Sequence, residues 1–458
     1  MADYAKIFKA YDIRGIVPDE LDDAAAEAIG AAFVQVTGAR SVVTTHDMRT
    51  SSAPLAAAFG RGATAQGADV IMGGLGSSDM LYFASGSLHV AGAMITASHN
   101  PARYNGLKMC TEGARPVGEQ AGLIKIRDLA ASGPAAYEGT PGRVTERNLL
   151  PEYAAFLRSL VDLSAIRPLK VAVDAGNGMA GHTVPAVFCG LPIEIIPLFF
   201  ELDGTFPNHE PNPIEPANMA DLQRAVVSCG ADIGLAFDGD ADRCFVVDEQ
   251  GQIVSPSVLT ALIAARELAR EPGAPVIHNL ITSRAVPELV AERGGTPVRS
   301  RVGHSYIKAL MADTGAIFGG EHSAHYYFRD FWGADSGMLA ALHVLAALGE
   351  QERALSELMA DYQRYEASGE INFTVMDAES CVDAVLTSFG TRIHSMDHLD
   401  GVTVDLGDGS WFNLRMSNTE PLLRLNVEAR TSQEIDEIVG LISKIVQAQM
   451  SSDTEAAT

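Results

Sequence analysis

The sequence predicts a chain of several α/β domains with mixed, mostly parallel sheets, followed by a C-terminal α+β domain. Three features carry that expectation. At 458 residues the chain exceeds what one hydrophobic core organises, which favours roughly three or four domains. Short apolar runs alternate with helical patterns through most of its length, the rhythm of βα units. Near the end the rhythm changes to strict apolar–polar alternation, as in a sheet with one solvated face.

Taken in order, Ser41 to Thr45 (SVVTT), Asp69 to Gly73 (DVIMG) and Ala91 to Thr96 (AGAMIT) read as buried strands, each ending in a polar or Gly-rich loop. Lys170 to Asp174 (KVAVD) feeds the loop Ala175 to Gly181, and Ile233 to Phe237 (IGLAF) feeds DGDADR. Val276 and Ile277 open a further strand, and Ala316 to Gly319 (AIFG) form another. Leu423, Leu425, Val427 and Ala429 alternate with polar neighbours, and a helical pattern follows from Gln433 to about Gln447. The tail SSDTEAAT is small and polar and is expected to be disordered. Boundaries near 150, 254 and 368 divide the chain into domains 1–149, 150–253, 254–367 and 368–458.

Acidic residues outnumber basic ones 58 to 33, a formal charge of −25. That balance disfavours nucleic acid and anionic membrane surfaces as partners. A phosphorylated ligand would need the few basic residues gathered in its site. Five cysteines at scattered positions form no CxxC pair, so neither a disulfide framework nor a zinc ribbon is indicated, and a reducing cytoplasm fits. MADYAKIFKAYDIRG lacks the apolar run of a signal peptide, and no apolar stretch approaches the roughly 20 residues of a membrane helix.

The strongest chemical signal is Asp238-Gly-Asp240-Ala-Asp242-Arg243, directly after a strand. Small spacers let three carboxylates converge, and converging carboxylates call for a hard cation. The bland alternative is a solvated acidic turn. Asp238, Asp240, Asp242 and Glu249 also fit EF-hand spacing, but Arg243 stands where that loop needs Gly, and the flanks read as strands. Mg²⁺ is therefore favoured over calcium.

Thr96-Ala-Ser98-His99-Asn100-Pro101 also follows a strand. Asn-Pro forces a turn that presents Ser98 beside an imidazole, as a nucleophile or as a capping serine. It is not the GxSxG elbow. Arg415-Met-Ser417-Asn418-Thr419-Glu-Pro421 could cradle an anion or be an ordinary polar hairpin. In GGEHSAH, alternation would point Glu321, Ser323 and His325 the same way, suited to sugar hydroxyls; the spacing is not that of HExxH zinc enzymes. KAYDIRG places Tyr11 and Arg14 near a Gly turn, and His304 lies in RVGHSYIK; each alone would pass for an ordinary surface or capping residue. DAGNGMAG does not match GxGxxG and reads as a tight strand–helix turn.

Together and in this order, KAYDIRG, TASHNP, DGDADR, GEHSAH and RMSNTEP resemble the α-D-phosphohexomutase superfamily over nearly the whole chain. SNTEP is more similar to the bacterial phosphomannomutase/phosphoglucomutase branch than to the SGTEP loop of glucosamine mutases. The resemblance implies four domains around a central cleft and an isomerase of carbohydrate metabolism that acts on a phosphorylated hexose. It implies a phosphoserine at Ser98 and Mg²⁺ held by Asp238, Asp240, Asp242 and the phosphoserine oxygen. Hexose 1,6-bisphosphate would be intermediate and activator. Glu321 and Ser323 would bind sugar hydroxyls, with His325 beside them. Arg415, Ser417, Asn418 and Thr419 would bind the non-reacting phosphate. Tyr11, Arg14, His99, Lys108, Arg243 and His304 would line the cleft, with Arg14, Lys108 and His304 as candidates for proton transfer.

There are departures. Ala241 and Ala324 replace glycines common in the family, an exchange expected to cost little, and Ile281 stands where some members have a phosphate-binding lysine, with Arg284 as a possible substitute. A metal-dependent phosphatase would not need the second phosphate cradle. An inactive sugar-phosphate-binding protein would not need Ser98 and all three aspartates. The sequence leaves the oligomeric state open.

Overall fold

Four β-sheets organise the structure, a computed structural model that describes residues 3–416 and 422–456. The first sheet runs in the spatial order Ile13–Ile16, Tyr104–Thr111, Ala91–Ile95, Ser41–His46, Asp69–Leu75, Val144–Glu146, with Arg115–Pro116 paired to the second of these strands. Its centre is parallel, because helices Ser52–Ala65 and Ser78–Leu88 return the chain over the sheet between strands. The two strands at its near edge pair antiparallel, which brings Arg14 opposite Gly106 and Lys108 opposite Met94.

The second sheet orders Ile253–Val254, Cys244–Asp248, Ile233–Phe237, Leu169–Asp174, Ile193–Leu198; the third orders Thr296–Ser300, Pro275–Asn279, Phe318–Gly320, Tyr326–Phe328, Ala334–Asp335. Both combine parallel and antiparallel pairs. The fourth sheet, built from Glu366–Thr374, Leu422–Ala429, Trp411–Met416, Val402–Asp405 and Ser395–Asp397, is antiparallel throughout. Helices Ala378–Phe389 and Ser432–Ala456 cover one face of it. The expected strands therefore appear within a residue or two, and AIFG pairs only from Phe318. The last helix continues to Ala456 over most of the segment expected to be a disordered tail, where Glu and Ala favour helix.

One apolar core runs from the first sheet through the second and third, joining residues such as Val43, Tyr153, Phe237 and Leu342, while the first domain also encloses a separate core around Phe33, Phe59 and Ile126. The antiparallel domain keeps its own core around Phe389, Phe412 and Leu425. Strand ends carrying TASHNP, DGDADR and GEHSAH meet where the first three domains join.

Candidate active site

Strand Ala91–Ile95 is buried at every position, and its exit fixes the loop that follows. The Thr96 hydroxyl accepts a hydrogen bond from the Ser98 amide (2.9 Å). Ser98 itself has φ +49°, a left-handed conformation that costs a non-glycine residue about 1–3 kcal/mol and persists only where surroundings enforce it. The enforcing group is Arg49. Its buried guanidinium donates to the carbonyls of Ser98 (2.8 Å), Asn100 (2.6 Å), Pro101 (2.9 Å) and Tyr104 (3.0 Å), and to Asp47 (3.2 Å). Phe206 of the second domain packs against its face.

So held, the Ser98 hydroxyl donates to Asp238 Oδ2 at 2.7 Å, and His99 Nδ1 lies 3.3 Å from the same hydroxyl. Gly239 makes this approach possible: a Cβ there would fall 2.4 Å from the Ser98 carbonyl oxygen. Asp238, Asp240 and Asp242 are buried, and one oxygen from each lies within 4.8 Å of the others. Arg243 forks onto Asp238 (3.0 and 2.8 Å). Lys108 reaches from the first domain to Asp240 (2.6 Å) and Asp242 (2.5 Å), and Ser78 donates to Asp240 (2.6 Å).

Two cations thus face three carboxylates, and Asp240 Oδ1 and Asp242 Oδ1 are buried with no hydrogen-bond partner among the described residues. Orphaned, buried carboxylate oxygens fit a hard divalent cation, since oxygen ligands of this kind suit Mg²⁺ or Ca²⁺. Burial pushes the Asp238 carboxyl up to about 6 against the pull of Arg243, with the two neighbouring carboxylates adding to the rise. Burial would do the same at Asp240, but Lys108 outweighs it and holds that carboxyl low. The His99 imidazole is held far below its usual range by burial and by the charges of Arg243 and Arg14. Arg14 in turn binds Asn100 and Asp12, both at 2.5 Å.

GEHSAH does not alternate as expected. The segment turns back on itself, with the Glu321 amide donating to the His325 carbonyl (3.0 Å) and Ala324 at φ +66°. Glu321 and His325 therefore reach different partners. Glu321 accepts from Gly303 N (3.1 Å), Asn279 (3.3 Å) and the Tyr327 hydroxyl (2.7 Å). His325 binds Asp335 (3.0 Å) and lies 3.9 Å from Asp242, and those carboxylates outweigh burial to hold its imidazole above the usual range. Ser323 is half-buried on the same turn. The left-handed conformations of Ala241 (φ +58°) and Ala324 overturn the expectation that losing glycine there costs little in backbone energy: each carries about 1–2 kcal/mol of strain.

Tyr11 lies edge-on to Tyr306. His304 opens the helix His304–Thr314, and its side chain lies outside the described residues. Arg415 sits on strand Trp411–Met416, 3.6 Å from Glu370, while Ser417, Asn418 and Thr419 lie outside the described residues. Ile281 lines a cleft of about 180 Å³ with Ser257, His322 and Glu428. Arg284 does not substitute for a lysine there, because its guanidinium turns away to Asp405 (3.0 Å). Sequence reasoning passed over Arg49, Ser78 and Asp335. The only signal for Arg49 was an Asp-x-Arg at a strand exit, and its four carbonyl partners lie some fifty residues away.

Four family descriptions match in order: phosphoglucomutase/phosphomannomutase alpha/beta/alpha domain I over residues 5–133, domain II over 151–251, domain III over 256–365, and the C-terminal domain over 370–444. The chain is 44% identical over 426 residues to a protein of Xanthomonas campestris pv. campestris described as phosphohexose mutases, covering 92% of this chain and 95% of that one. It is 40% identical over 433 residues to a phosphomannomutase of Escherichia coli K12, covering 92% and 94%. The crystal structure of a phosphoglucomutase/phosphomannomutase family protein from Burkholderia thailandensis superposes with a TM-score of 0.88 at 33% identity, covering 98% of each chain.

Proposed function

The chain belongs to the phosphoglucomutase/phosphomannomutase family, and from that premise we propose that it interconverts mannose 6-phosphate and mannose 1-phosphate and also accepts glucose phosphates. The observation that carries this reading is the Ser98 hydroxyl, held in a left-handed turn and set 2.7 Å from one of three buried aspartates.

Phosphoryl transfer needs positioning and charge neutralisation above all. Phosphorylated Ser98 gives its phosphoryl group to a hydroxyl of the bound hexose phosphate. The P–O bond to Oγ breaks, a P–O bond to the sugar oxygen forms, and the sugar hydroxyl loses its proton. The resulting hexose 1,6-bisphosphate turns over in the cleft and returns its other phosphoryl group to Ser98. Mg²⁺ bound by Asp238, Asp240, Asp242 and the phosphoserine would polarise the phosphoryl oxygens and stabilise the leaving serine oxygen. Arg243 keeps Asp238 oriented, and Lys108 places a positive charge beside the transferring group. Arg14, Lys108 and His304 are the candidates for proton transfer between the sugar hydroxyl and Ser98 Oγ, and His99 lies beside the Ser98 hydroxyl. Arg415, with Ser417, Asn418 and Thr419, holds the phosphate that is not reacting.

Glu321 and Ser323 read the 3- and 4-hydroxyls, with Tyr11 and His325 on the flanks of that subsite. Glu321 still has lone pairs for sugar hydroxyls, since each carboxylate oxygen accepts more than one donor. Mannose and glucose share their configuration at C3 and C4, so this pair accepts both. Galactose, inverted at C4, leaves a buried partner unpaired, which can cost discrimination of up to about 10⁴.

A coupled assay with mannose, glucose and galactose 1-phosphates and a trace of hexose 1,6-bisphosphate tests this. Mannose and glucose substrates turn over, galactose 1-phosphate does so poorly, and Ser98→Ala is inactive although folded. Normal turnover by Ser98→Ala would refute the covalent route, and equal turnover of galactose 1-phosphate would remove Glu321 and Ser323 from C3 and C4.

A further inference from the structure

A segment of the third domain, Arg301-Val302-Gly303, leads directly into His304 and is held from three sides. From within its own domain, Glu321 accepts the Gly303 amide at 3.1 Å. Against the first domain, the Tyr11 hydroxyl lies where a Gly303 Cβ would come within 3.3 Å, and Gly303 has φ +129°, a conformation open to glycine. From the antiparallel last domain comes Asp400, whose Oδ2 accepts the Val302 amide at 3.2 Å and whose Oδ1 stands 4.0 Å from the Arg301 guanidinium. That guanidinium lies over the Tyr306 ring, which meets Tyr11 edge-on.

Asp400 is anchored to the strand that bears Arg415. Its carbonyl accepts from the Asn413 side chain at 3.2 Å. The next residue, Gly401, is pressed so close that a Cβ would fall 2.3 Å from the Leu414 carbonyl oxygen and 2.9 Å from the Arg415 Cα. Asp400 and Arg415 therefore move as one body. The Asp400 side chain is only 16% exposed, so its bond to Val302 is sheltered from solvent. No other domain offers an acceptor to the Val302 amide among the described residues.

We propose that Asp400 is a positioning residue: it transmits the seating of the last domain to the loop that carries His304 and contacts Glu321. Because Asp400 travels with Arg415, a phosphate held by Arg415 keeps Asp400 against the Val302 amide and the Arg301 side chain. The 301–303 segment then holds Gly303 against Glu321 and Tyr11. Without Asp400, the last domain can still bind phosphate through Arg415, but the loop is left without its third support. This inference rests on the mutase reading for its kinetic consequence and on geometry alone for its effect on the loop.

The test compares Asp400→Ala and Asp400→Asn with wild type in the full-length protein. Asn keeps an acceptor for Val302 N–H and removes the charge facing Arg301. Asp400→Ala is expected to lower kcat about tenfold at saturating mannose 1-phosphate, the loss that follows from one bond to a charged acceptor. Asp400→Asn should recover to within about threefold of wild type. Hydrogen–deuterium exchange should show the peptide spanning 301–306 exchanging faster in Asp400→Ala and near wild type in Asp400→Asn. Unchanged exchange in that peptide overturns the proposal whatever the kinetics, and so does an Asn variant as impaired as Ala. If the wild type turns over no sugar phosphate, the mutase reading fails, and the exchange measurement still decides the role of Asp400.

Discussion

Replacing Arg49 by lysine keeps a positive charge beside Asp47 but removes the planar fork. In the wild type that fork makes five hydrogen bonds, four of them to carbonyls of the Ser98 loop. A lysine ammonium has three donors radiating from one point and cannot span four carbonyls. At least two of those bonds are lost. Each bond from a charged donor contributes about 1.5–3 kcal/mol, so the expected destabilisation is about 3–6 kcal/mol before the loop relaxes. Relaxation is itself damaging, because Ser98 at φ +49° stays in place only while the loop is held. Released, Oγ drifts from Asp238, and a displacement of about 1 Å can cost a hundredfold in rate. Urea denaturation, kcat with Mg²⁺ present, and intact-mass measurement of phosphate on Ser98 read the three consequences separately. Arg61→Lys, at an exposed pair with Glu27, is the control and should change stability by less than about 0.5 kcal/mol. Arg49→Lys with wild-type stability and kcat within twofold would refute the reasoning.

Chelation should abolish turnover and Mg²⁺ restore it, and Asp240→Asn should weaken metal binding measured by calorimetry; full activity in metal-free protein would remove the carboxylate cluster from the chemistry. Arg415→Ala should raise KM about 10- to 100-fold, equivalent to about 1.5–3 kcal/mol, because the remote phosphate is bound in ground and transition states alike; unchanged KM and kcat would take this loop out of the site. Asp79, buried among Ser336 (2.5 Å), Tyr153 (2.7 Å) and Ser77, has its carboxyl pushed up to about 6 by burial. Since the folded state then binds the proton more tightly than the unfolded chain, its contribution is present at low pH and is lost as pH rises through 6. Asp79→Asn should gain about 3 kcal/mol relative to wild type between pH 4 and 7 in denaturation experiments, and parallel pH profiles for the two proteins would contradict the assignment.

What the sequence discloses here divides by the range of the interaction. Central strands such as SVVTT and IGLAF announce themselves because burial on both faces demands continuous apolar runs. The aspartate triplet is readable because its small spacers are local. The strands Ile13–Ile16 and Tyr104–Thr111 carry no such run, since each mixes buried and half-buried positions and includes a site cation, Arg14 or Lys108. Reading GEHSAH as alternating assumed extended backbone, and Ala324 in a left-handed turn breaks that assumption. Arg49 stayed hidden because its partners are backbone carbonyls, which have no signature in a sequence. Arg284 looked available for phosphate because its partner Asp405 lies more than a hundred residues on, in another domain.

The core shared among the first three domains, set against the separate core of the last, also governs how the molecule comes apart. Where the two bodies meet, charged and polar groups recur: Arg284 with Asp405, Arg299 with Asp397, and the Arg284 amide with Glu428. Apolar continuity makes a cooperative unit, and half-exposed ion pairs couple two units only weakly. The last domain is therefore expected to melt apart from the body that shares the large core. A ligand stabilises only the unit that binds it, by mass action on the folded form. A cation at the aspartate cluster raises the melting temperature of the three-domain body and leaves the antiparallel domain where it was, so calorimetry can separate metal binding from closure within one scan.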